Sequence, residues 1–272
     1  MKFLVYLKSE LKQLFSSLPF WVCCILVTVL ECSAGFFLER NGKELSVIET
    51  IITYSKQEMK DMGRIWSVNA FVSGVGSWLK LFVPVIASLP AVALYRDQAS
   101  TGYRRCLIYR VGKKEYLIVK YLSGFLGGAI TLTMGTLLFF LLTQLCFPSA
   151  ACLQEWVVRS TLEAYHANSA FAMVMCRFGI VFLYGGIWAS ITYGLLGLVS
   201  NKYLIVGIPF MMKYIWQQCA EKWNIMDGDA LLYFSFGENN PLTVVVVVYG
   251  LLLLGSFFLF YFSNQRKEDI GV

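Results

Sequence analysis

The stretch Leu94–Tyr121, LYRDQASTGYRRCLIYRVGKKEYLIVKY, is a strongly basic segment between two hydrophobic runs that are each long enough to cross a bilayer. Seven of its residues are basic, namely Arg96, Arg104, Arg105, Arg110, Lys113, Lys114 and Lys120. Only Asp97 and Glu115 are acidic. Because short cytoplasmic loops of membrane proteins carry an excess of Lys and Arg, this segment is predicted to lie on the cytoplasmic side.

The composition of the whole chain indicates a membrane protein. Hydrophobic residues make up 57% of the sequence, and the mean hydropathy is +0.62. Apolar runs of about 20 residues, which a hydrocarbon core of roughly 30 Å requires, recur along the chain. The net charge is +6, but the charges are sorted by side of the membrane and do not gather on one face, so no nucleic-acid partner is expected.

The hydropathy pattern predicts an all-α integral membrane fold with six transmembrane helices. The spans are expected at about 18–38, 77–95, 121–147, 178–200, 203–217 and 242–263. Residues 1–17 place apolar side chains at helical spacing opposite charged ones, which predicts an amphipathic helix on the inner membrane surface. The six-span domain then occupies residues 18–272.

The distribution of charge supports one orientation of these spans. With both termini, the basic segment and Lys202 inside, the cytoplasmic side holds 13 Lys and Arg residues against 5 Asp and Glu residues. The inverted topology would place this excess outside, against the positive-inside rule. We therefore expect a multi-pass protein of the cell membrane with both termini in the cytoplasm.

The segment 217–241, QQCAEKWNIMDGDALLYFSFGENNP, is neither apolar enough to span nor polar enough for a plain loop. An outer re-entrant helical hairpin before the last span would fit this mixture, because backbone at membrane depth needs internal hydrogen bonds. The alternative is an amphipathic external loop.

Motifs for catalysis are not found in the sequence. No GxxxxGK[ST] phosphate loop occurs, and Gly112-Lys113-Lys114 lacks its upstream glycine and its hydroxyl. His166 is the only histidine, so a histidine-based metal site or a Ser-His triad is not expected. We expect neither enzymatic activity, nor a metal, nor a cofactor in this chain alone.

Four ionisable residues fall within the predicted spans: Glu31, Lys80, Arg177 and Lys213. A charge in hydrocarbon costs at least about 2.5 to 3.5 kcal/mol, so such residues are candidates for function. Glu31, Lys80 and Lys213 are proposed to line a translocation path, with either lysine as counter-ion to Glu31. The simpler interpretation for Lys80 and Arg177 is that they extend to the headgroups.

The order of these parts resembles the membrane subunit of a type-2 ABC exporter, which has an inner amphipathic helix, six spans, a docking helix in the inner loop after the second span and a re-entrant hairpin before the sixth. The local match is best at Tyr95–Gly102 and at Gly112–Lys120. The resemblance implies docking on a separate ATPase subunit through a coupling helix. The residues it assigns to docking are Arg96, Asp97, Gln98, Thr101, Gly102, Tyr103, Arg104, Arg105, Cys106, Leu107 and Ile108.

The same resemblance implies that the partner ATPase binds Mg-ATP and that a second permease copy, identical or paralogous, completes the transporter within the membrane lipid. The apolar and aromatic interior favours a hydrophobic or amphipathic cargo, such as a peptide, an antimicrobial or a lipid-like compound. Other functional classes stay open at this point, namely an ATP-independent channel or secondary transporter, a membrane-embedded enzyme and a membrane immunity protein. The enzyme is disfavoured because His, Asp and Glu do not cluster within the spans.

Overall fold

The computed structural model describes residues 2–39, 42–63, 65–74, 78–149, 170–196, 198–199, 201–223 and 242–269. Most of these residues are helical, and the exception is a small two-stranded sheet. In chain order the elements are α1 (Lys2–Phe15), α2 (Leu18–Cys32), β1 (Gly35–Leu38), β2 (Glu44–Ser46), α3 (Val47–Thr53), α4 (Lys56–Met62), α5 (Ser67–Ser73), α6 (Leu79–Ser100), α7 (Tyr103–Val111), α8 (Lys113–Cys146), α9 (Ala170–Leu195), α10 (Lys202–Trp223) and α11 (Leu242–Asp269).

Four of these helices, α6, α8, α9 and α11, are long and apolar enough to cross a membrane. A fifth span results if α1 and α2, which meet at 63°, form one broken span. Alone, α2 has 15 residues and reaches about 22 Å, short of a core of roughly 30 Å. Lys213, Gln217 and Gln218 lower the hydropathy of α10. The described residues thus form an all-α membrane architecture with four or five candidate spans, and six spans stay a prediction.

The long helices run alternately between two ends of the bundle. We call the end that carries α7 the α7 end, and the opposite end, with β1 and β2, the sheet end. Helix α8 connects the two, because it begins next to α7 and is followed by Phe147, whose ring lies 5.5 Å from that of Phe36 in β1. Tyr6 of α1 stacks on Tyr116 at the α7 end. Asn264 of α11 lies there too, so α1 and the end of α11 share one side, as the predicted topology requires.

Helix α8 lies at the centre of the bundle and contacts α2, α6 and α9. A Cβ atom at Gly128 would lie 2.7 Å from the carbonyl oxygen of Gly185 in α9. One at Gly135 would lie 2.8 Å from the carbonyl oxygen of Cys24 in α2. Both distances are shorter than van der Waals contact, so only glycine permits this approach of the backbones. Glycines at these positions therefore bring α8 close to both α9 and α2.

A small folded unit between the first two apolar runs covers the sheet end. Strands β1 and β2 pair antiparallel, and α3 and α4 both begin with a capping box. Ser46 and Glu49 form the first box, and Ser55 and Glu58 form the second. Hydrogen bonds from the backbone N–H and hydroxyl of these serines hold the pKa of both glutamates below its usual range.

The observed helices differ from the predicted spans at their ends. Helix α2 ends at Cys32, earlier than the expected 38, because Gly35–Leu38 pairs as a strand. Helices α8 and α9 begin about eight residues earlier than their apolar runs, at Lys113 and Ala170, and α10 continues past 217 to Trp223. Backbone hydrogen bonding continues into polar sequence, since helix formation does not require apolar side chains.

Two predicted features lie outside the described residues. The candidate re-entrant segment occupies 217–241, and only its first part, up to Trp223, is described, as a continuation of α10. His166, the single histidine of the sequence, falls within 150–169. The hairpin therefore stays a prediction.

Candidate functional site

The predicted docking segment forms a separate short helix, α7, between the long helices α6 and α8. Gly102 and Gly112 delimit it with φ angles of 71° and 96°. Residues with a side chain rarely adopt such angles, so these two glycines allow the chain to reverse at both ends of α7. The segment is thereby set off from α6 and α8 as a helix of its own.

Helix α7 has a buried side and an exposed side. Leu107 is buried and Ile108 half-buried, in one apolar cluster with Tyr6 and Tyr116. Among the side chains that the structure describes, those of Tyr103, Cys106, Tyr109 and Arg110 are exposed. Tyr109 is 90% exposed. Aromatic residues and arginine are enriched in the cores of protein interfaces, so this exposed side has the composition of a docking surface.

A buried polar cluster lies directly behind α7 and joins three helices. Lys120 of α8 contacts Glu10 of α1 at 2.6 Å between Nζ and Oε2, and its Nζ also donates to Oε1 of Gln98 in α6. Gln98 Nε2 in turn donates to Glu10 Oε1 at 3.2 Å and to Gln13 Oε1 at 2.8 Å. Glu10, Gln98 and Lys120 are at most 6% exposed. We call these three residues the three-helix cluster.

Aromatic rings and a shared hydrogen-bond partner surround the ion pair of the three-helix cluster. The ammonium of Lys120 lies 6.0 Å and 5.9 Å from the ring centroids of Tyr6 and Tyr116, within the range of a cation–π interaction. Gln98 supplies an acceptor to the lysine and a donor to the carboxylate of Glu10. A buried ion pair that is also hydrogen-bonded is strongly destabilised by loss of either partner. The cluster therefore holds α1, α6 and α8 in one fixed arrangement.

Other residues that precede α7 contact further helices at the α7 end. Arg96 Nη2 donates to the carbonyl oxygen of Val199, between α9 and α10, at 2.8 Å. Tyr95 donates its hydroxyl to Oδ1 of Asn264 in α11 at 3.0 Å. With Gln98, these residues connect the end of α6 to α1, α8, α11 and the segment between α9 and α10. A displacement of α7 would reach most of the bundle through this short stretch.

The sheet end holds a second buried pair of charges. Glu31 is 0% exposed, and its Oε1 accepts a hydrogen bond from Thr136 at 3.0 Å. Arg177 Nη2 lies 3.8 Å from the same oxygen, and its guanidinium carbon lies 5.5 Å from the ring centroid of Phe71. Arg177 thus takes the position at Glu31 that we considered for Lys80 or Lys213. At 9% exposure Arg177 does not extend to the headgroups, so that interpretation of it is wrong.

The two lysines predicted for the translocation path have different surroundings. Lys213 is 0% exposed, and its Nζ lies 5.7 Å from the centroid of the Tyr184 ring in α9. Lys80 is half-buried and lines a cavity of about 320 Å³ at the sheet end, together with Trp78 and Tyr214. Lys213 therefore lies within the helix bundle, whereas Lys80 borders an open cavity.

Sequence reasoning missed the pairing of Glu10 with Lys120 and of Glu31 with Arg177. Glu10 belongs to the amphipathic segment 1–17 and Lys120 to the basic segment, and nothing in their spacing indicates a contact. Within the described ranges, no group of three or more His, Cys, Asp or Glu residues could hold a metal ion.

No protein-family model, curated protein or solved structure matches the chain.

Proposed function

We propose that this chain is the permease subunit of an ATP-driven exporter of the type-2 ABC class, with α7 as its docking helix for a separate ATPase subunit that binds Mg-ATP. The observation that carries the proposal is the position of the three-helix cluster directly behind α7. A short helix with an exposed aromatic and basic side, fixed from behind by a buried ion pair, suits the transmission of force from a partner.

The proposed mechanism follows from the contacts that flank α7. Closure of the ATPase on ATP would displace α7, and Gln98 on one side of it and Lys120 on the other both bond Glu10. The displacement would therefore move α6, α8 and α1 together. Packed helices switch between discrete arrangements, so a small shift at the docking site can reorganise the path.

The rest of the proposal places this unit in the plasma membrane. Helices α2, α6, α8, α9, α10 and α11 would be the six spans, with the α7 end in the cytoplasm and a second permease copy alongside. Glu31, Lys80 and Lys213 would contribute to the translocation path, because ionisable residues inside a membrane protein usually mark such paths. The cargo would be a hydrophobic or amphipathic peptide, antimicrobial or lipid-like compound.

The first test is co-purification of the solubilised full-length protein from its native membrane, followed by an ATP hydrolysis assay. We expect an ATPase subunit to co-elute and to hydrolyse ATP. Tyr109→Ala should release that subunit, because Tyr109 is 90% exposed on α7. Phe262→Ala is the matched control, since Phe262 is an exposed aromatic residue on α11 and belongs to neither α7 nor the path. Recovery of the chain alone, without hydrolysis, would reject the exporter.

A second test reverses charge within α7. Arg104 and Arg105 belong to the α7 backbone, and their side chains lie outside the described residues. Substitution of both by Glu should abolish ATPase docking if they contact the partner. Retained docking and transport would mean that the two arginines serve only as a positive topology signal.

A secondary transporter is the second candidate function, and one observation favours it. Glu31 Oε2 is buried and has no hydrogen-bond partner among the described residues. Intramembrane carboxylates serve as proton or cation sites in pumps and transporters. Transport driven by a pH gradient in vesicles without ATP, and lost in Glu31→Gln, would favour this candidate over the exporter.

A further inference from the structure

A long apolar groove runs between α6 and α10 and ends at a charged residue. Its volume is about 570 Å³, within the roughly 300–1,000 Å³ typical of small-molecule sites. Among its lining residues are Phe82, Leu89, Val92, Val206, Phe210 and, at the α7 end, Arg96. Only Arg96 and Asp97 among the lining residues are charged.

The dimensions of the groove suit an alkyl chain. From Phe82 to Arg96 the helix α6 rises by about 21 Å, which exceeds the roughly 15 Å of one leaflet's hydrocarbon. The rings of Phe82 and Phe210 stack at 6.0 Å at the far end of the groove. A Cβ atom at Gly207 would meet no other atom within 4 Å, so the middle of the groove is open space.

The charged end of the groove suits a phosphate. One Nη of Arg96 is committed to Val199, which fixes the guanidinium. Arg96 is half-buried and lines the groove, so its guanidinium borders the space that an occupant would fill. A guanidinium matches phosphate oxygens in charge and geometry. The exposed carboxylate of Asp97 at the same end favours a positive group in the same ligand.

The groove is open towards the bilayer. Phe82 and Leu89 line it and are still 38% and 37% exposed, so an occupant can enter sideways from the hydrocarbon. We propose that the groove binds a membrane phospholipid of the phosphatidylethanolamine type, with one acyl chain between α6 and α10, the phosphate on Arg96 and the ammonium beside Asp97. This site does not depend on the exporter proposal, since it requires no ATPase.

The test is a lipid titration of the delipidated full-length protein in detergent, read by native mass spectrometry with dioleoyl phosphatidylethanolamine as the probe. We expect one probe molecule to bind to each protein more tightly than any further probe molecules. Gly207→Phe should abolish this binding by filling the groove. Arg96→Gln should weaken it about tenfold or more, as loss of a charged hydrogen bond predicts. Dioleoylglycerol, which has no phosphate, should bind as weakly as the probe binds to the Arg96 variant.

The controls match the two substitutions. Gly250→Phe introduces the same side chain at a second glycine with open space around its Cβ, on α11. Arg110→Gln removes an exposed positive charge at the same end of the molecule. Both should bind the probe as the wild type does, and thermal melting checks that all four variants are folded.

Four outcomes would overturn the proposal. Equal binding of the probe to wild type, Gly207→Phe and Arg96→Gln would mean that the lipid binds elsewhere. If dioleoylglycerol binds as tightly as the probe, Arg96 does not recognise the phosphate. If dioleoyl phosphatidylglycerol binds as tightly as the probe, Asp97 does not recognise the ammonium. Conversion of a dimer to a monomer by Gly207→Phe, with lipid binding unchanged, would mean that a second copy of the chain fills the groove.

Discussion

The α7 end and the sheet end each hold a buried pair of opposite charges, and the two pairs differ in geometry. Lys120 and Glu10 are in direct contact at 2.6 Å, and Gln98 bonds both. Arg177 and Glu31 stand 3.8 Å apart, and one oxygen of Glu31 has no hydrogen-bond partner among the described residues. The first pair therefore fixes three helices, whereas the second has the freedom to rearrange or to bind another group.

The largest effect is expected at the α7 end. Lys120→Met leaves the carboxylate of Glu10 buried without its cation, which should lower the free energy of unfolding by about 3–5 kcal/mol. The double variant Glu10→Leu/Lys120→Met removes both charges and should recover most of that loss. Chemical unfolding in detergent, compared with each single variant, measures the difference. A double variant less stable than Lys120→Met would show that the pair is not the source of the effect.

The corresponding change at the sheet end should be smaller. Arg177→Met removes a cation that is 3.8 Å from Glu31, while the hydrogen bond from Thr136 remains. We expect a loss of about 1–3 kcal/mol, the typical cost of an unsatisfied buried group. The same unfolding assay compares it with Lys120→Met. A loss at least as large as that of Lys120→Met would remove the distinction between the two pairs.

Sequence alone predicted the features that local pattern determines. The amphipathic α1, the apolar runs and the basic segment around α7 follow from periodicity and charge. The ion pairs were not predictable, because Glu10 and Lys120 are 110 positions apart and only the packing of α1 against α8 brings them together. Arg177 looked like a residue near a helix end, but α9 begins at Ala170 and places it within the bundle.

The unit at the sheet end was also not predicted, for a different reason. Residues 39–64 balance charges of both signs and show neither a clear helical nor a strand period, so the pattern indicates a loop. Its order comes from local polar contacts, as in the two capping boxes, and from aromatic packing such as that of Phe37 on Tyr54. Such contacts depend on short-range geometry that hydropathy does not report.

The third-largest effect, after those of Lys120→Met and Arg177→Met, is expected at the turns at the two ends of α7. Gly102→Ala places a side chain at a φ of 71°, which should cost about 1–2 kcal/mol and shift the start of α7. Gly250→Ala is the control, because a helical glycine with open space around it should become slightly more stable as alanine. Thermal melting measures stability, and accessibility of Cys106 to a thiol reagent reports the position of α7. Unchanged melting and labelling in Gly102→Ala would contradict a strained turn.

The smallest effect is expected in the capping boxes, which have no counterpart at the α7 end. The hydrogen bonds of Ser55 lower the pKa of Glu58 in the folded protein. This interaction therefore stabilises the fold at a pH above the unfolded pKa of about 4.3. The stabilisation is lost as the pH falls through the lower pKa of the folded protein. Ser55→Ala should therefore raise amide exchange in α4 at pH 7 and should leave less difference from the wild type at pH 3. Amide exchange around α7 should not change at either pH, because the two ends are stabilised by separate contacts. An effect of Ser55→Ala that grows as the pH falls would reverse the sign of the proposed linkage.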